Sequence, residues 1–208
     1  MPEIQSIKTN RRVIIAIHGW TGNVNSLKPL SKQWRFPKTT WVFIEGPYRA
    51  KSKGFSWFKG NDQDGWDYKK SFDILNHTIQ NLIVDGHQHK HIYMLGFSQG
   101  ACLAMEFMIR QKFSIGGIIP ISGFIKNKSY FKESKNILSK GTQILLLHGE
   151  KDNIVNAKES RIAFKIFVDL GYKTEIHFFK EGHKIPLKAK KIIQGKIFYK
   201  YLNTLGIK

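Results

Sequence analysis

The chain has 208 residues, of which 41% are hydrophobic and 13% aromatic, a composition typical of a globular protein and not of a disordered one. Its 34 lysines and arginines outnumber 15 aspartates and glutamates, so the formal net charge is +19. Such a charge is compatible with nucleic-acid or membrane binding, but the lysines are scattered and no nucleic-acid-binding motif is recognisable. We therefore expect no nucleic-acid partner, and peripheral contact with an anionic membrane stays open.

Targeting and membrane-spanning signals are not recognisable in the sequence. The first apolar run, VIIAI, is shorter than a signal-peptide core, and no run approaches the roughly 18–20 apolar residues that cross a bilayer. No low-complexity linker divides the chain, which predicts one domain over residues 1–208. The single cysteine, Cys102, excludes an internal disulfide and is expected in the core, so we expect a cytoplasmic protein. A monomer and a homodimer both fit the sequence.

Short β-branched runs alternate with longer amphipathic runs along the chain. This alternation predicts an α/β fold with a mostly parallel central sheet and helices on both faces. The predicted strands cover residues 13–17, 41–44, 92–95, 117–121, 144–147 and 174–179, and 4–7 is a candidate edge strand. TEIHFF at 174–179 partly alternates, so we expect it near an edge.

Apolar residues recur at helical spacing between these strands. The pattern over residues 72–83 predicts a helix that ends before Gly86, and similar patterns predict helices over 101–109, 157–170 and 187–205. We interpret these apolar faces as core packing. In an open α/β sheet the functional site lies at the carboxyl ends of the strands.

The pentapeptide GFSQG places Ser98 between a predicted strand and a predicted helix. In this context a G-x-S-x-G turn exposes the serine hydroxyl in a strained conformation, and its glycines prevent collision of the strand with the helix. Ser98 is therefore the predicted nucleophile.

A serine nucleophile needs a base and an acid that orients the base, and in this architecture they follow in the order serine, acid, histidine. Asp152 follows the predicted strand at 144–147, and His183 follows the one at 174–179. Both should therefore reach the sheet edge that carries Ser98. Glu150 is an alternative acid, whereas His148 and His177 lie at or within strands, where a structural role is expected.

An acyl-transfer site also needs donors for the developing oxyanion. The predicted donors are the backbone N–H of Gln99, next to the nucleophile, and that of Trp20 in the loop HGWTGN. The HQHKH run at His87, His89 and His91 lies at the amino end of a strand, away from this edge. We therefore predict a solvated loop there and no metal site.

The segments HGWTGN, EGPYRAKSKGFSWF, GFSQGACLA, HGEKDNIV and EGHKIP together resemble the α/β-hydrolase superfamily, and within it the phospholipase/carboxylesterase family. The resemblance implies an α/β-hydrolase fold, Ser98, Asp152 and His183 as the catalytic triad, and Trp20 and Gln99 as oxyanion donors. It also implies hydrolysis of carboxylic esters or thioesters with no metal or organic cofactor. Lys59 departs from the family pattern, in which many relatives have an acidic residue after the WF pair.

The resemblance also places GFSWF beside the site. Phe55, Trp57, Phe58 and Phe124 are accordingly the expected substrate-binding residues, and the substrate is expected to be a small-molecule or lipid-like acyl ester. The segment 124–140 is too short for a large lid, which predicts a preference for short to medium acyl groups. The alternative is a non-catalytic protein that keeps the fold and only binds a ligand.

Overall fold

The computed structural model describes residues 12–61 and 63–198. The candidate strand at 4–7 and the end of the helix predicted over 187–205 lie outside the described residues. In the described ranges, no helix is both long enough and apolar enough to cross a membrane.

A six-stranded parallel sheet forms the centre of the molecule. The strands in chain order are β1 (Arg12–Ile17), β2 (Thr39–Ile44), β3 (Tyr48–Arg49), β4 (Phe55–Ser56), β5 (Lys59–Asn61), β6 (Gly65–Asp67), β7 (Ile92–Phe97), β8 (Gly117–Ile121), β9 (Gln143–Gly149) and β10 (Thr174–Phe179). The order across the sheet is β10-β9-β8-β7-β1-β2, while β3 pairs with β4 and β5 with β6 as small antiparallel ribbons. All six strands predicted in the described chain are confirmed, and β10 lies at an edge as expected.

Helices connect the strands and cover both faces of the sheet. They are α1 (Lys28–Trp34), α2 (Lys69–Val84), α3 (Gln99–Met108), α4 (Lys128–Glu133), α5 (Lys158–Asp169) and α6 (Ala189–Ile193), which continues as a π-helical turn over Gln194–Phe198. The sequence pattern predicted α2, α3, α5 and the start of α6. It missed α1 and α4, since helices of 7 and 6 residues show too little periodicity.

The side chains of β1 alternate between two apolar cores. Val13, Ile15 and Ile17 face the core covered by α2, α3 and α5, whereas Ile14 and Ala16 face the core covered by α1 and α6. Burial on both faces is why the central strands read as continuous apolar runs. Cys102 is fully buried in the first core, as predicted.

The order of the strands reverses direction at β1. The chain moves from β1 outward to β2 and then returns to place β7 on the other side of β1, with Ile17 beside Gly96. The loops after β1 and β7 therefore leave the sheet in opposite directions and open a crevice between them. Ligand sites in open α/β sheets lie at such reversal points.

Candidate active site

Ser98 occupies a sharp turn between β7 and α3. Its backbone has φ 53° and ψ −114°, a conformation that costs a non-glycine residue about 1–3 kcal/mol. The Ser98 N–H donates to Ile121 O at 2.8 Å, which fixes the turn against β8. A Cβ atom on Gly96 would lie 2.3 Å from Gly100 O, and one on Gly100 would lie 2.3 Å from Ile17 O. The two glycines therefore permit the close approach of strand, turn and helix.

Asp152 and His183 meet at the same edge of the sheet. His183 Nδ1 lies 2.7 Å from Asp152 Oδ2, and the carboxylate accepts the proton of this ring nitrogen. The two loops are joined by backbone hydrogen bonds from the Glu150 N–H to Phe179 O (2.7 Å) and from the Lys151 N–H to Glu181 O (2.9 Å). His183 is thus paired with Asp152, and the side chain of Glu150 is exposed.

The Asp152 carboxylate is buried and extensively hydrogen-bonded. Its Oδ1 accepts the N–H groups of Ile154 at 3.0 Å and Val155 at 2.8 Å. Burial by itself raises the pKa of Asp152, but the hydrogen bonds from Val155, His183 and Ile154 outweigh burial and hold the pKa below its ordinary value. Asp152 is therefore ionised at neutral pH and suited to stabilise a protonated His183.

His148 is a neighbour of Asp152 whose contact the sequence did not predict. Its ring is fully buried, with Nε2 at 2.9 Å from Val155 O and 3.3 Å from Asp152 Oδ2. Its Nδ1 lies 2.6 Å from Ser160 Oγ, so this nitrogen accepts the serine proton while Nε2–H donates. Burial lowers the pKa of His148, and the ring is neutral at neutral pH. His148 directly follows the strand predicted over 144–147, and that position gave no signal of this contact.

The loop predicted to supply an oxyanion donor, residues 18–23 and called the oxyanion loop below, follows β1 and faces the start of α3. Gln99 is the first residue of α3, so its N–H has no acceptor within the helix. The Trp20 N–H likewise makes no hydrogen bond with the described residues. A Cβ atom on Gly19 would lie 3.5 Å from Ser98 Cβ, which shows how closely this loop approaches the serine.

A buried polar network supports the oxyanion loop. Trp57 Nε1–H donates to His18 O at 2.8 Å, and the Trp57 N–H donates to the Gln99 side chain at 3.0 Å. His18 Nδ1–H donates to Gly19 O at 2.7 Å and Nε2 accepts the Gly46 N–H at 3.1 Å. Burial lowers the pKa of His18, which keeps the ring in this neutral form. The loop and the helix start are therefore held together through Trp57.

A cavity of about 640 Å³ opens beside Ser98 and Gln99. Its apolar walls include Trp20, Phe58, Trp66, Phe124, Ile154 and Val155. A second cavity of about 700 Å³ shares Trp66 and Lys126 with it, but Ser98 does not line that one. The cavity beside Ser98 is accordingly the candidate substrate site.

Two of the four expected substrate-binding residues line this cavity and two do not. Phe58 and Phe124 are on its wall, but Trp57 is fully buried and Phe55 pairs with Gly22 in the loop that follows β1. The expectation for Trp57 needs correction, because its ring is fully buried in the core. The expectation for Phe55 needs correction as well, because its ring lies against Arg49 and does not line the cavity. Both residues support the oxyanion loop.

The histidines of the HQHKH run lie at the amino end of β7. His91 is buried, and the His89 ring lies 4.8 Å from the Phe113 ring. The prediction of a solvated loop is therefore wrong for His91. In the described part of the chain, no group of three or more histidine, cysteine or acidic side chains is arranged for a metal ion.

The chain is similar to curated proteins that are named as thioesterases and to one that is named as probably inactive. Acyl-protein thioesterase 1 of Saccharomyces cerevisiae is 34% identical over 138 residues, which cover 66% of this chain and 55% of that protein. A probable inactive carboxylesterase of Oryza sativa subsp. japonica is 25% identical over 196 residues, covering 84% of this chain and 78% of that protein. For two curated relatives the match spans about half of their length, 52% and 55%.

Comparison with solved structures shows the fold. The crystal structure of Arabidopsis thaliana SOBER1 matches with a TM-score of 0.82 at 21% identity, over 92% of this chain and 99% of that chain. The family model described as phospholipase/carboxylesterase matches residues 2–200. The chain therefore belongs to the phospholipase/carboxylesterase family and has the α/β-hydrolase fold.

Proposed function

We propose that the protein is a serine hydrolase that cleaves carboxylic esters or thioesters through an acyl-enzyme intermediate. The observation that carries this proposal is the 2.7 Å hydrogen bond between His183 Nδ1 and Asp152 Oδ2, at the edge of the sheet that carries the strained Ser98. A buried carboxylate that orients a histidine at the sheet edge of a half-buried serine is the arrangement that activates a serine hydroxyl.

The proposed reaction has two half-reactions. Ser98 Oγ attacks the carbonyl carbon and its proton passes to His183 Nε2, while Asp152 stabilises the imidazolium. The carbonyl π electrons move to oxygen, and the proposed donors to that oxyanion are the N–H groups of Trp20 and Gln99. When the tetrahedral intermediate collapses, the bond to the alcohol or thiol breaks and that group takes the proton from His183. A water molecule then releases the carboxylic acid by the same steps and restores Ser98.

The Ser98 hydroxyl makes no hydrogen bond with His183 within the described part of the chain. Contacts of this kind are often loose without substrate and tighten in the complex, so the pair remains a catalytic candidate. The same observation is also what a ligand-binding protein with a retained hydrolase fold would show. One relative named as inactive makes this second candidate worth testing.

Covalent labelling separates the two candidates. The folded wild-type protein is expected to react with a fluorophosphonate probe and to release nitrophenol from short-chain nitrophenyl esters. Ser98→Ala should lose both signals and keep the wild-type circular dichroism and melting temperature, because removal of one half-buried hydroxyl changes little packing. A wild-type protein that neither labels nor turns over, or a Ser98→Ala protein that still does, would contradict the proposed function.

The acyl group is proposed to be short to medium in length. Phe58 and Phe124 offer apolar walls beside Ser98, and each methylene that they bury is worth up to about 0.8 kcal/mol. In a series of nitrophenyl esters, kcat/KM should rise with chain length and then stop rising where the walls end. Rates that still rise at palmitate would contradict a limited acyl site.

A further inference from the structure

Four cations line the cavity beside Ser98: Arg49, Lys51, Lys59 and Lys126. Among the described residues, no aspartate or glutamate lines this cavity. Cations around a concave surface with apolar walls produce a positive potential that attracts anions. Part of the positive charge of the chain is thus located around the candidate site.

Three of these cations are positioned by aromatic rings. Lys126 Nζ lies 3.7 Å from the centroid of the Trp66 ring and 5.8 Å from that of Phe58. Arg49 Cζ lies 4.6 Å from the Phe55 centroid, and Lys59 Nζ lies 5.4 Å from the Tyr48 centroid. A ring face attracts a cation without neutralising its charge.

The cations of the cavity also lack salt bridges to described carboxylates. Elsewhere such pairs are present, for example Lys128 with Glu159 at 3.1 Å and Arg110 with Glu106 at 2.7 Å. Asp67 is close enough to Lys59 for that charge to contribute to the lowered pKa of Asp67, whose main cause is the hydrogen bond from the Lys69 N–H. Asp67 does not line the cavity. The positive charge there is therefore available to a ligand.

The cations and the apolar walls lie at different depths. Arg49, Lys51 and Lys59 are exposed, whereas Phe58 is buried and Phe124 is half-buried. An acyl chain favours the buried apolar wall, because burial of methylene groups is what stabilises it. A charged group keeps part of its hydration at the exposed rim, where the lysines reach it.

Resting on the proposed hydrolase function, we propose that the substrate is an ester or thioester whose departing alcohol or thiol carries a phosphate or carboxylate group. Exposed Lys59 binds this anion at the rim and half-buried Lys126 binds it from the wall beside Trp66, while the acyl chain lies against Phe58 and Phe124. Binding the anion raises the local concentration of substrate and aligns its carbonyl with Ser98.

Three butyrate esters with one acyl group and different phenols test the substrate class. The first phenol is ortho-nitrophenol, and the other two are the same phenol with an added carboxylate or an added phosphate. Each kcat/KM is divided by the rate of hydroxide hydrolysis of that ester, which removes differences in intrinsic reactivity. The wild type is expected to favour an anionic ester about tenfold or more at low salt, and the preference should shrink as salt screens the charges. Comparison of the carboxylate and phosphate esters identifies which anion is preferred.

The variants Lys126→Gln and Lys59→Gln remove one charge each from the cavity. Each is expected to reduce the preference for the anionic ester about fivefold to tenfold. Lys165→Gln, an exposed position on α5, removes the same charge away from the cavity and should leave the preference unchanged. This control separates a local effect from the loss of net charge.

Calorimetry can measure the binding of the free phenols to the Ser98→Ala protein, so it tests the inference without any turnover. The anionic phenols should bind more tightly than the neutral one, and Lys126→Gln in the same background should weaken only the anionic binding. Equal preference for neutral and anionic esters or phenols, or a loss of preference in Lys165→Gln equal to that in Lys126→Gln, would overturn the inference. Active enzyme with no charge preference would refute this substrate class alone, whereas no turnover and no labelling would refute the proposed hydrolase.

Discussion

At the scale of single residues, Asp152 shows how one buried carboxylate is held in place. Two backbone N–H groups fix Oδ1, and His183 binds Oδ2. Because the backbone donors come from the next turn of the same loop, the carboxylate orientation does not depend on His183. The loop of Asp152 therefore holds its own carboxylate in place.

Replacement of Asp152 by asparagine is expected to retain the fold and lower kcat by a factor on the order of 10³–10⁴, because an amide cannot stabilise the imidazolium of His183. The matched change Glu150→Gln alters an exposed side chain and should have little effect. Steady-state hydrolysis of a nitrophenyl ester by both variants measures this. A crippled Glu150→Gln enzyme with a nearly normal Asp152→Asn enzyme would assign the acid to Glu150.

His148 is predicted to act as a positioning residue for Asp152. The change His148→Phe keeps an aromatic ring but leaves Val155 O and Ser160 Oγ without the imidazole, at a cost of about 1–3 kcal/mol for an unsatisfied buried group. We expect kcat to fall while KM changes little, because the substrate walls are untouched. His148→Gln, which can still donate to Val155 O, should recover part of the activity. Equal kcat values in the two variants would show that His148 only fills space.

At the scale of elements, the strand ends were predictable from the sequence and the roles of the aromatic residues were not. Parallel strands leave Ser98, Asp152 and His183 at one edge because each follows a continuous apolar run, and such runs are readable. The aromatic cluster in GFSWF gives the same signal for a core and for a groove, because both remove large apolar surfaces from water. Only tertiary contacts separate buried Trp57 from Phe58 on the cavity wall.

The close packing of α3 against β1 predicts a specific effect for Gly100→Ala. The added methyl group would meet Ile17 O at 2.3 Å and His18 O at 2.5 Å, and these backbone atoms cannot move without displacing the oxyanion loop. We expect a loss of about 1–3 kcal/mol in unfolding free energy together with a lower kcat. Gly195→Ala is the control, since nothing lies within 4 Å of its added carbon. Denaturant titration and ester hydrolysis measure the two effects, and a Gly100→Ala protein as stable and active as Gly195→Ala would contradict this packing.

The link from β4 to the oxyanion loop makes a prediction for Trp57→Phe. Phenylalanine keeps an aromatic ring but has no N–H group to donate to His18 O. The buried acceptor is then unsatisfied, which should lower the unfolding free energy by about 1–3 kcal/mol. Stability and kcat should fall, while the dependence of kcat/KM on acyl length should stay that of the wild type. Phe124→Ala should instead change mainly the dependence of kcat/KM on acyl length and have less effect on stability. A changed profile in Trp57→Phe would return Trp57 to the substrate wall.

At the scale of the whole molecule, buried neutral histidines make the stability depend on pH. Burial lowers the pKa of His18 and His148 from 6.5, so in mildly acidic solution the unfolded chain binds protons that the folded chain does not. The contribution of these neutral rings to the unfolding free energy is therefore complete above about pH 6.5, and it is lost as pH falls through the folded-state pKa values. The raised pKa of Glu106, caused mainly by burial, acts in the opposite direction.

The unfolding free energy is thus expected to decrease between about pH 7 and about pH 5. His148→Gln removes one of the rings whose pKa burial lowers, so its stability should depend less steeply on pH than that of the wild type. Urea titrations at several pH values provide the measurement. A variant with the wild-type slope would exclude His148 as a source of the pH dependence.

The strand order β10-β9-β8-β7-β1-β2 also bears on how the chain becomes reactive during synthesis. In chain order, β2 is the neighbour of β1 on one side, β7 is its neighbour on the other side and leads into the turn that carries Ser98, and β8, β9 and β10 follow outward one by one. Since translation proceeds from the amino terminus, Ser98, the proposed nucleophile, is made well before His183, the proposed base, which follows the last strand at the outer edge. A nascent or truncated chain that ends before β10 therefore carries Ser98 without His183. For the proposed hydrolase, we expect ester cleavage only from chains in which this final edge of the sheet is in place.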